Sequence, residues 1–437
     1  MLVQEVSVAG SGNQVGLSRC SDGRLELTVP FGMEGVAAPQ AIALLYKAFV
    51  VFRSTGRLKE RLASVDGVES QGQDGLDDGD DGFTFCDALG LDELFSTIDP
   101  TRILSLIEGR GRVSTDRHLR IDRHLHRALF DAQGVPYLDH VTAPRRELRY
   151  ATGDIVGLYC FVAEDFYENL LGIAVETPWG KFSAEGKALS AQFRERYLSA
   201  GASQYKGEPD SCAHTLQTLR HTLLVIDRNT AFRSPDYRAL HDTLDRFLNA
   251  GLDTKGKDGL VWGVKDFWAV WESVCLVRAA TDHFPQFLTC DFDHLPVAAS
   301  SPAAEAKWLA QRKAIFARNE LARRPDLVLL SDTGAKVIDF KFYASAPTRR
   351  IKQTHGDVEK PERDFLNIES YGLLLQNHLL RTAPHLASGV TLELWLPGQS
   401  ASQATWQHMP RWDPSLSIVT IPTLEALEQY SLIYELR

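Results

Sequence analysis

Three acids and a lysine in the C-terminal half of this chain have the types and spacing that metal-assisted hydrolysis requires. Asp326 follows Pro325, and Asp339 and Lys341 flank Phe340. On an extended segment, residues two apart project to one face, so Asp339 and Lys341 share a side and Phe340 takes the other. Magnesium prefers oxygen ligands, usually one or two carboxylates completed by water and phosphate oxygens. A cation held this way lowers the pKa of its water and offsets charge growing on a scissile phosphate. A neighbouring ammonium stabilises the same charge. Upstream, Glu272 is an acid among Phe267, Trp268 and Trp271, and a carboxylate in such company needs a partner or a metal. Asp326, Asp339, Lys341 and Glu272 therefore form the candidate catalytic centre. Asp326, Asp339 and Glu272 are its candidate ligands for Mg2+, with Mn2+ as the substitute ion. A plainer reading stands beside this one: a hairpin with an Asp-Lys pair on its solvated face, and Glu272 at a helix edge paired with Lys265 or Arg278.

These residues need elements to carry them. Residues 327–330 and 337–342 read as two apolar strands joined by a polar turn containing Gly334, the local signature of a hairpin. Residues 261–280 read as one apolar, aromatic helix bearing Glu272. Residues 363–380 read as a helix with Ile368, Tyr371, Leu375 and Leu379 on its buried stripe. On that helix Asp364, Glu369, Tyr371 and Gln376 are candidates to support the centre, though packing accounts for Tyr371 equally well. Arg349, Arg350 and Lys352 lie in a basic loop that either meets a DNA backbone or is simply solvated. Strands at 392–397 and 417–421 and a helix at 424–434 complete this part.

The rest of the chain sets limits. Its 437 residues suffice for two or three domains, and 44% hydrophobic with 24% charged residues is ordinary globular material. A formal charge of −10 argues against a wholly basic nucleic-acid binder but leaves room for a local basic patch. Six scattered cysteines suit reduced thiols better than disulfides or zinc. No apolar run has membrane-spanning length and the first residues lack a signal-peptide pattern, so a cytoplasmic protein is expected. Residues 3–31 look β-rich, 39–62 helical, and 65–82 an acidic loop without the ligand spacing of a calcium hand. Within 110–127, Arg117, Arg120 and Arg127 share one helical face, which is either a contact surface for phosphate or an acidic partner, or a solvated face. Residues 148–163 read as strand, and 187–198, 213–226 and 234–248 as helices. With a Gly/Lys/Asp-rich boundary at 251–259, the expected organisation is a mixed, β-rich region at 1–183, a helical connector at 184–258 and an α/β module at 259–437. The expected fold class is multi-domain α/β, with a mixed central sheet flanked by helices in the C-terminal module.

The pattern Pro325-Asp326 followed by Asp339-Phe340-Lys341 resembles the PD-(D/E)XK nuclease superfamily. Together with Phe267-Trp268-Ala269-Val270-Trp271-Glu272 upstream and a later helix carrying Tyr371, it is similar to the nuclease subunits of McrC and LlaJI-type restriction systems. The similarity covers about residues 260–437; before that, only Glu108-Gly109-Arg110-Gly111-Arg112 is faintly like the LlaJI-type N-terminal region. One position departs from it: Asn367-Ile368 stand where such helices often carry Lys-Gln. The resemblance implies a restriction-endonuclease-like core and a magnesium-dependent endonuclease acting on double-stranded DNA in phage defence. In that role Asp326, Asp339 and Glu272 would ligate the metal and Lys341 would position the water. It also implies an N-terminal region that docks on a McrB-like AAA+ GTPase or ATPase, and self-association to cut both strands. The chain has no Gly-x-x-x-x-Gly-Lys-Ser/Thr loop, so the motor would be a separate chain. Two alternatives remain: a catalytically silent scaffold that activates or bridges an ATPase, and a stand-alone repair nuclease.

Overall fold

The computed structural model describes residues 6–20, 24–53, 68–69, 85–87, 89–91, 94, 129–130, 133–134, 136–137, 154–172, 183–230, 233, 235–249, 259–296, 301–318, 321–344, 359–405 and 415–435. Arg117, Arg120, Arg127, Arg349, Arg350 and Lys352 lie outside the described residues, as does nearly all of the acidic 65–82 segment.

The chain begins with β1 (Ser7–Ser11), β2 (Val15–Arg19) and β3 (Leu25–Val29), followed by α1 (Ala38–Arg53) and the short strands β4 (Val68–Glu69) and β5 (Phe85–Asp87). Next come β6 (Leu129–Phe130), β7 (Pro136–Tyr137), α2 (Asp154–Glu164) running into a π-helical turn at Asp165–Leu170, α3 (Ser183–Tyr197), α4 (Pro209–Asn229) and α5 (Pro235–Asn249). The remainder is β8 (Gly259–Val264), α6 (Trp268–His283), β9 (Phe287–Cys290), α7 (Pro302–Phe316), β10 (Ala317–Arg318), β11 (Leu321–Arg323), β12 (Leu327–Ser331), β13 (Gly334–Phe340), α8 (Glu359–Thr382), α9 (Pro384–Ala387), β14 (Val390–Gly398), β15 (Ser402–Thr405), β16 (Ser415–Pro422) and α10 (Thr423–Glu435). The result is a mixed α/β protein.

Its division differs from three consecutive segments. The chain forms two compact units, one of residues 5–86 with 256–437 and the other of residues 1–4 with 87–255. Backbone pairing explains why the N-terminal strands join the C-terminal module: β2 runs antiparallel to β8, with Gly16 opposite Gly263. Both glycines have φ beyond +130°, and a Cβ on Gly16 would stand 2.0 Å from the Trp262 carbonyl oxygen. Only residues without a side chain allow the two backbones this close. Helix α1 then buries Phe49 and Phe52 in the same unit, with the Phe49 ring 5.4 Å from Trp262.

The six-stranded sheet of this unit has the order β15-β16-β14-β13-β12-β9. β12 and β13 form the expected hairpin, closing from Ser331 opposite Gly334 around Asp332-Thr333. β13, β14 and β16 are parallel, and the edge strands β9 and β15 are each antiparallel to their one neighbour, β12 and β16. On one face Ala335, Val337, Leu392 and Leu394 pack with Ile368, Tyr371, Leu375 and Leu379 of α8 and with Ile315 and Phe316 of α7.

Two expected elements differ. The sequence of residues 148–163 reads as strand, whereas 154–164 are helix α2, whose residues from Ile155 to Ala163 are all buried. An apolar run buried on every side carries no periodicity to separate helix from strand. Residues 261–280 hold β8 and then α6 rather than a single helix. In the second unit, buried Asp165 accepts 2.6 Å and 2.7 Å hydrogen bonds from the Ser203 hydroxyl and the Gln204 backbone N–H. It thereby ties the π-helical turn to the loop after α3. The six cysteines are all free thiols, four of them buried. No helix among the described residues is long and apolar enough to cross a membrane.

Candidate active site

The hairpin brings Asp326 and Asp339 together at one end of two interior strands of the sheet. Asp326 immediately precedes β12, and its Oδ2 accepts a 2.6 Å hydrogen bond from the Phe340 backbone N–H. Asp339 is the penultimate residue of β13 and continues the row Ala335, Val337 on the face covered by α8. The two carboxyls are therefore neighbours at the C-terminal end of a strand with a parallel partner, where α/β sheets open their crevices. Lys341 follows β13, held by its backbone N–H to the Trp395 carbonyl at 3.0 Å. Its Nζ lies 2.9 Å from Asp339 Oδ2 and 3.6 Å from Asp364 Oδ1.

Burial and crowding set the electrostatics. Burial, then the Asp339 and Glu272 charges, push the Asp326 carboxyl well above the usual carboxylate range. Burial also raises Asp339, against the lowering pull of Lys341. For Lys341 burial works against the ammonium, but Asp339, Asp326, Asp364 and Glu272 outweigh it and hold the pKa well above a lysine's ordinary value. Four carboxylates thus share one ammonium. Such a cluster is short of positive charge, and its oxygen donors suit a hard divalent cation in chemistry.

The expected site residues divide on this geometry. Asp326, Asp339 and Lys341 meet. Glu272 on α6 is near enough for its charge to be felt by Asp326 and Lys341, but its Oε2 lies 2.9 Å from His294 Nε2. Among the described residues, no group of three or more His, Cys, Asp or Glu side chains is placed to hold a metal ion. Asp326 and Asp339 are in contact with each other, and Glu272 is engaged by the His294 imidazole. Asp364 is at the centre, paired with Lys341 and accepting a short hydrogen bond from the Tyr343 hydroxyl. Tyr371 is buried against Phe316, ring centroids 6.1 Å apart, and after burial it is the Asp339 and Asp326 charges that raise its hydroxyl pKa. It serves the core and borders the site. Gln376 instead donates to the Ala387 carbonyl, and Glu369 is raised by burial alone.

Sequence reasoning missed a second layer of charge. Arg324 is almost wholly buried and reaches Asp291 Oδ1 at 2.6 Å and Asp293 Oδ2 at 2.7 Å. The Asp291 backbone N–H donates to the Asp326 carbonyl at 2.8 Å. Arg324 sits two residues before Asp326, so the motif itself pointed to it; its partners lie in a distant segment. No family model and no curated protein matches this chain. The fold and this cluster define it as a mixed α/β protein with a carboxylate–lysine cluster at the end of interior strands of its sheet.

Proposed function

We propose that the unit formed by residues 5–86 and 256–437 hydrolyses DNA phosphodiesters with a divalent cation, Mg2+ or Mn2+, as the nuclease subunit of a restriction system of the McrBC or LlaJI kind. The observation that carries this reading is the convergence of Asp326, Asp339 and Lys341 at the end of β13, with the ammonium 2.9 Å from a carboxylate whose pKa is raised. Asp326 and Asp339 offer the oxygens that would hold the cation. When bound, the cation supplies an activated water and takes up charge on the phosphate. Lys341 is placed to donate to a phosphoryl oxygen or to orient the attacking water. Asp364 and Asp339 keep the ammonium charged and aimed. The Phe340 N–H fixes the Asp326 carboxylate, so its geometry is set before substrate arrives. A double-stranded DNA substrate, a McrB-like AAA+ motor and pairing of two nuclease subunits belong to the same proposal.

The test is plasmid cleavage with the motor present and Mg2+ added. Asp339→Ala and Lys341→Ala are expected to lower the rate by at least ~10²-fold while leaving the melting temperature and motor binding near wild type. Cleavage at the wild-type rate by either variant rejects the assignment. A silent scaffold is the second reading, favoured by the absence, among the described residues, of a three-ligand metal set. It requires that wild type also fail to cut while still stimulating the motor.

A further inference from the structure

Beside the carboxylate pair lies a short segment, Asp291 to His294, attached to the site at four points. The His294 side chain is almost wholly buried, and its Nε2 lies 2.9 Å from Glu272 Oε2 and 3.7 Å from Asp291 Oδ2. The His294 carbonyl accepts a 2.7 Å hydrogen bond from Ser273, the residue after Glu272, and the Ser273 hydroxyl also meets the Tyr430 hydroxyl at 2.9 Å. The His294 backbone N–H closes a turn onto the Asp291 carbonyl at 3.1 Å, and Asp291 in turn donates to the Asp326 carbonyl at 2.8 Å. Arg324 clamps Asp291 and Asp293 from the strand side.

This wiring joins Glu272 on α6 to Asp326 at the start of β12 through one buried segment. The Glu272 and Asp326 carboxylates repel each other, and the buried His294 imidazole is one of the groups that hold Glu272 in place against that repulsion. The Nε2–H of His294 supplies that donor and fixes one oxygen, which sets the plane of the carboxylate. We infer that His294 is a positioning residue of the cation site: it holds Glu272 in the orientation that supports a divalent ion on Asp326 and Asp339, with the Arg324 clamp keeping the imidazole in place. The inference rests on the divalent-cation reading above. Groups that orient ligating carboxylates in this way commonly matter to metal affinity nearly as much as the ligands.

The test is calorimetric titration of Mn2+ into the full-length protein, without DNA or motor, paired with melting curves. His294→Leu removes the donor, whereas His294→Gln can return an N–H to the position of Nε2. Leucine is expected to weaken Mn2+ binding by about tenfold or more and glutamine to restore it to within about threefold. In a Glu272→Ala background the leucine substitution should then cost nothing further, because the carboxylate it positions is gone. A merely structural histidine would show the same loss in both backgrounds, and that result, or wild-type affinity in His294→Leu, overturns the inference. Should leucine prevent folding, His294→Asn takes its place, since its side chain stops short of Glu272. Wild type that binds no Mn2+ would reject the cation reading of the whole site. Wild type that binds, with an indifferent His294→Leu, rejects the role of His294 alone.

Discussion

Asp326 is the residue at which the proposed function and stability pull in opposite directions. Its carboxyl is raised by burial and by the Asp339 and Glu272 charges. A carboxyl with a folded pKa above its unfolded value of about 3.9 lends stability while both states are protonated and loses it as pH climbs through the folded value. Asp326→Asn keeps an oxygen for the Phe340 N–H and removes that titration. The variant is therefore expected to melt above wild type at pH 7, with the difference fading as pH falls toward about 4, below which both folded and unfolded wild type are protonated. Added Mn2+ should raise wild type and leave the variant unmoved, closing the gap. Melting curves across pH, with and without the ion, decide it; a variant less stable than wild type at pH 7 without metal would contradict the electrostatics. At this scale the sequence was legible where residue type and spacing alone place side chains together, as at Asp326, Asp339 and Lys341. It was silent on His294, Asp291, Asp293 and Tyr343, because nothing local marks a partner that strand pairing alone brings near. Glu369 and Gln376 share α8 with Asp364, yet the helix carries neither to the cluster, and spacing on one helix could not separate them without knowing where the strand ends fall.

Among the elements, β12–β13 and α8 do the positioning, and they were legible for different reasons. The hairpin announced itself through two apolar runs and a tight polar turn, and α8 through Ile368, Tyr371, Leu375 and Leu379 at helical spacing. Helix α2 gave no such signal because its neighbours bury it all round, and the boundary between β8 and α6 vanished inside one apolar run. Helix α8 also presents Leu366, Leu373 and Leu380, all more than half exposed, on the side away from the core. The contrast between its faces is measurable. Leu375→Ala removes a side chain with no exposed surface and is expected to cost roughly 2–5 kcal/mol and to loosen Asp364 and Tyr371 with it. Leu373→Lys changes a side chain 51% exposed and should stay within about 0.5 kcal/mol. Denaturant titration of the two variants checks this, and equal losses would mean that the face bearing Leu373 is covered in the folded protein.

At the scale of the molecule, the unit bearing the site is discontinuous in sequence, which a linear reading could not see. The Gly/Lys/Asp-rich stretch at 251–259 reads as a domain boundary, and composition does change there. Yet β8, the first strand after it, finds its antiparallel partner in β2, and the Asn13 carbonyl accepts the Phe267 backbone N–H at 2.9 Å just ahead of α6. Farther along, the Thr423 hydroxyl at the head of α10 donates to the Phe31 carbonyl at 2.7 Å. Removing residues 1–86 would strip β8 of that partner and expose Trp262 and Phe267, both buried with Phe49. Each large aromatic side chain so exposed forfeits about 1.5–3 kcal/mol, against a stability of about 5–15 kcal/mol for a whole domain. A fragment of residues 256–437 is therefore expected to lack a cooperative melt and to bind Mn2+ far more weakly than the full chain, although it contains Glu272, Asp326, Asp339 and Lys341. Gly263→Ala in the full chain should act in the same direction, because its Cβ would stand 2.1 Å from the Val15 carbonyl oxygen and force β2 from β8. Calorimetric scans of both proteins provide the measurement. A fragment melting cooperatively within a few degrees of the full chain would mean that the N-terminal strands and α1 decorate the unit bearing the site and do not complete it.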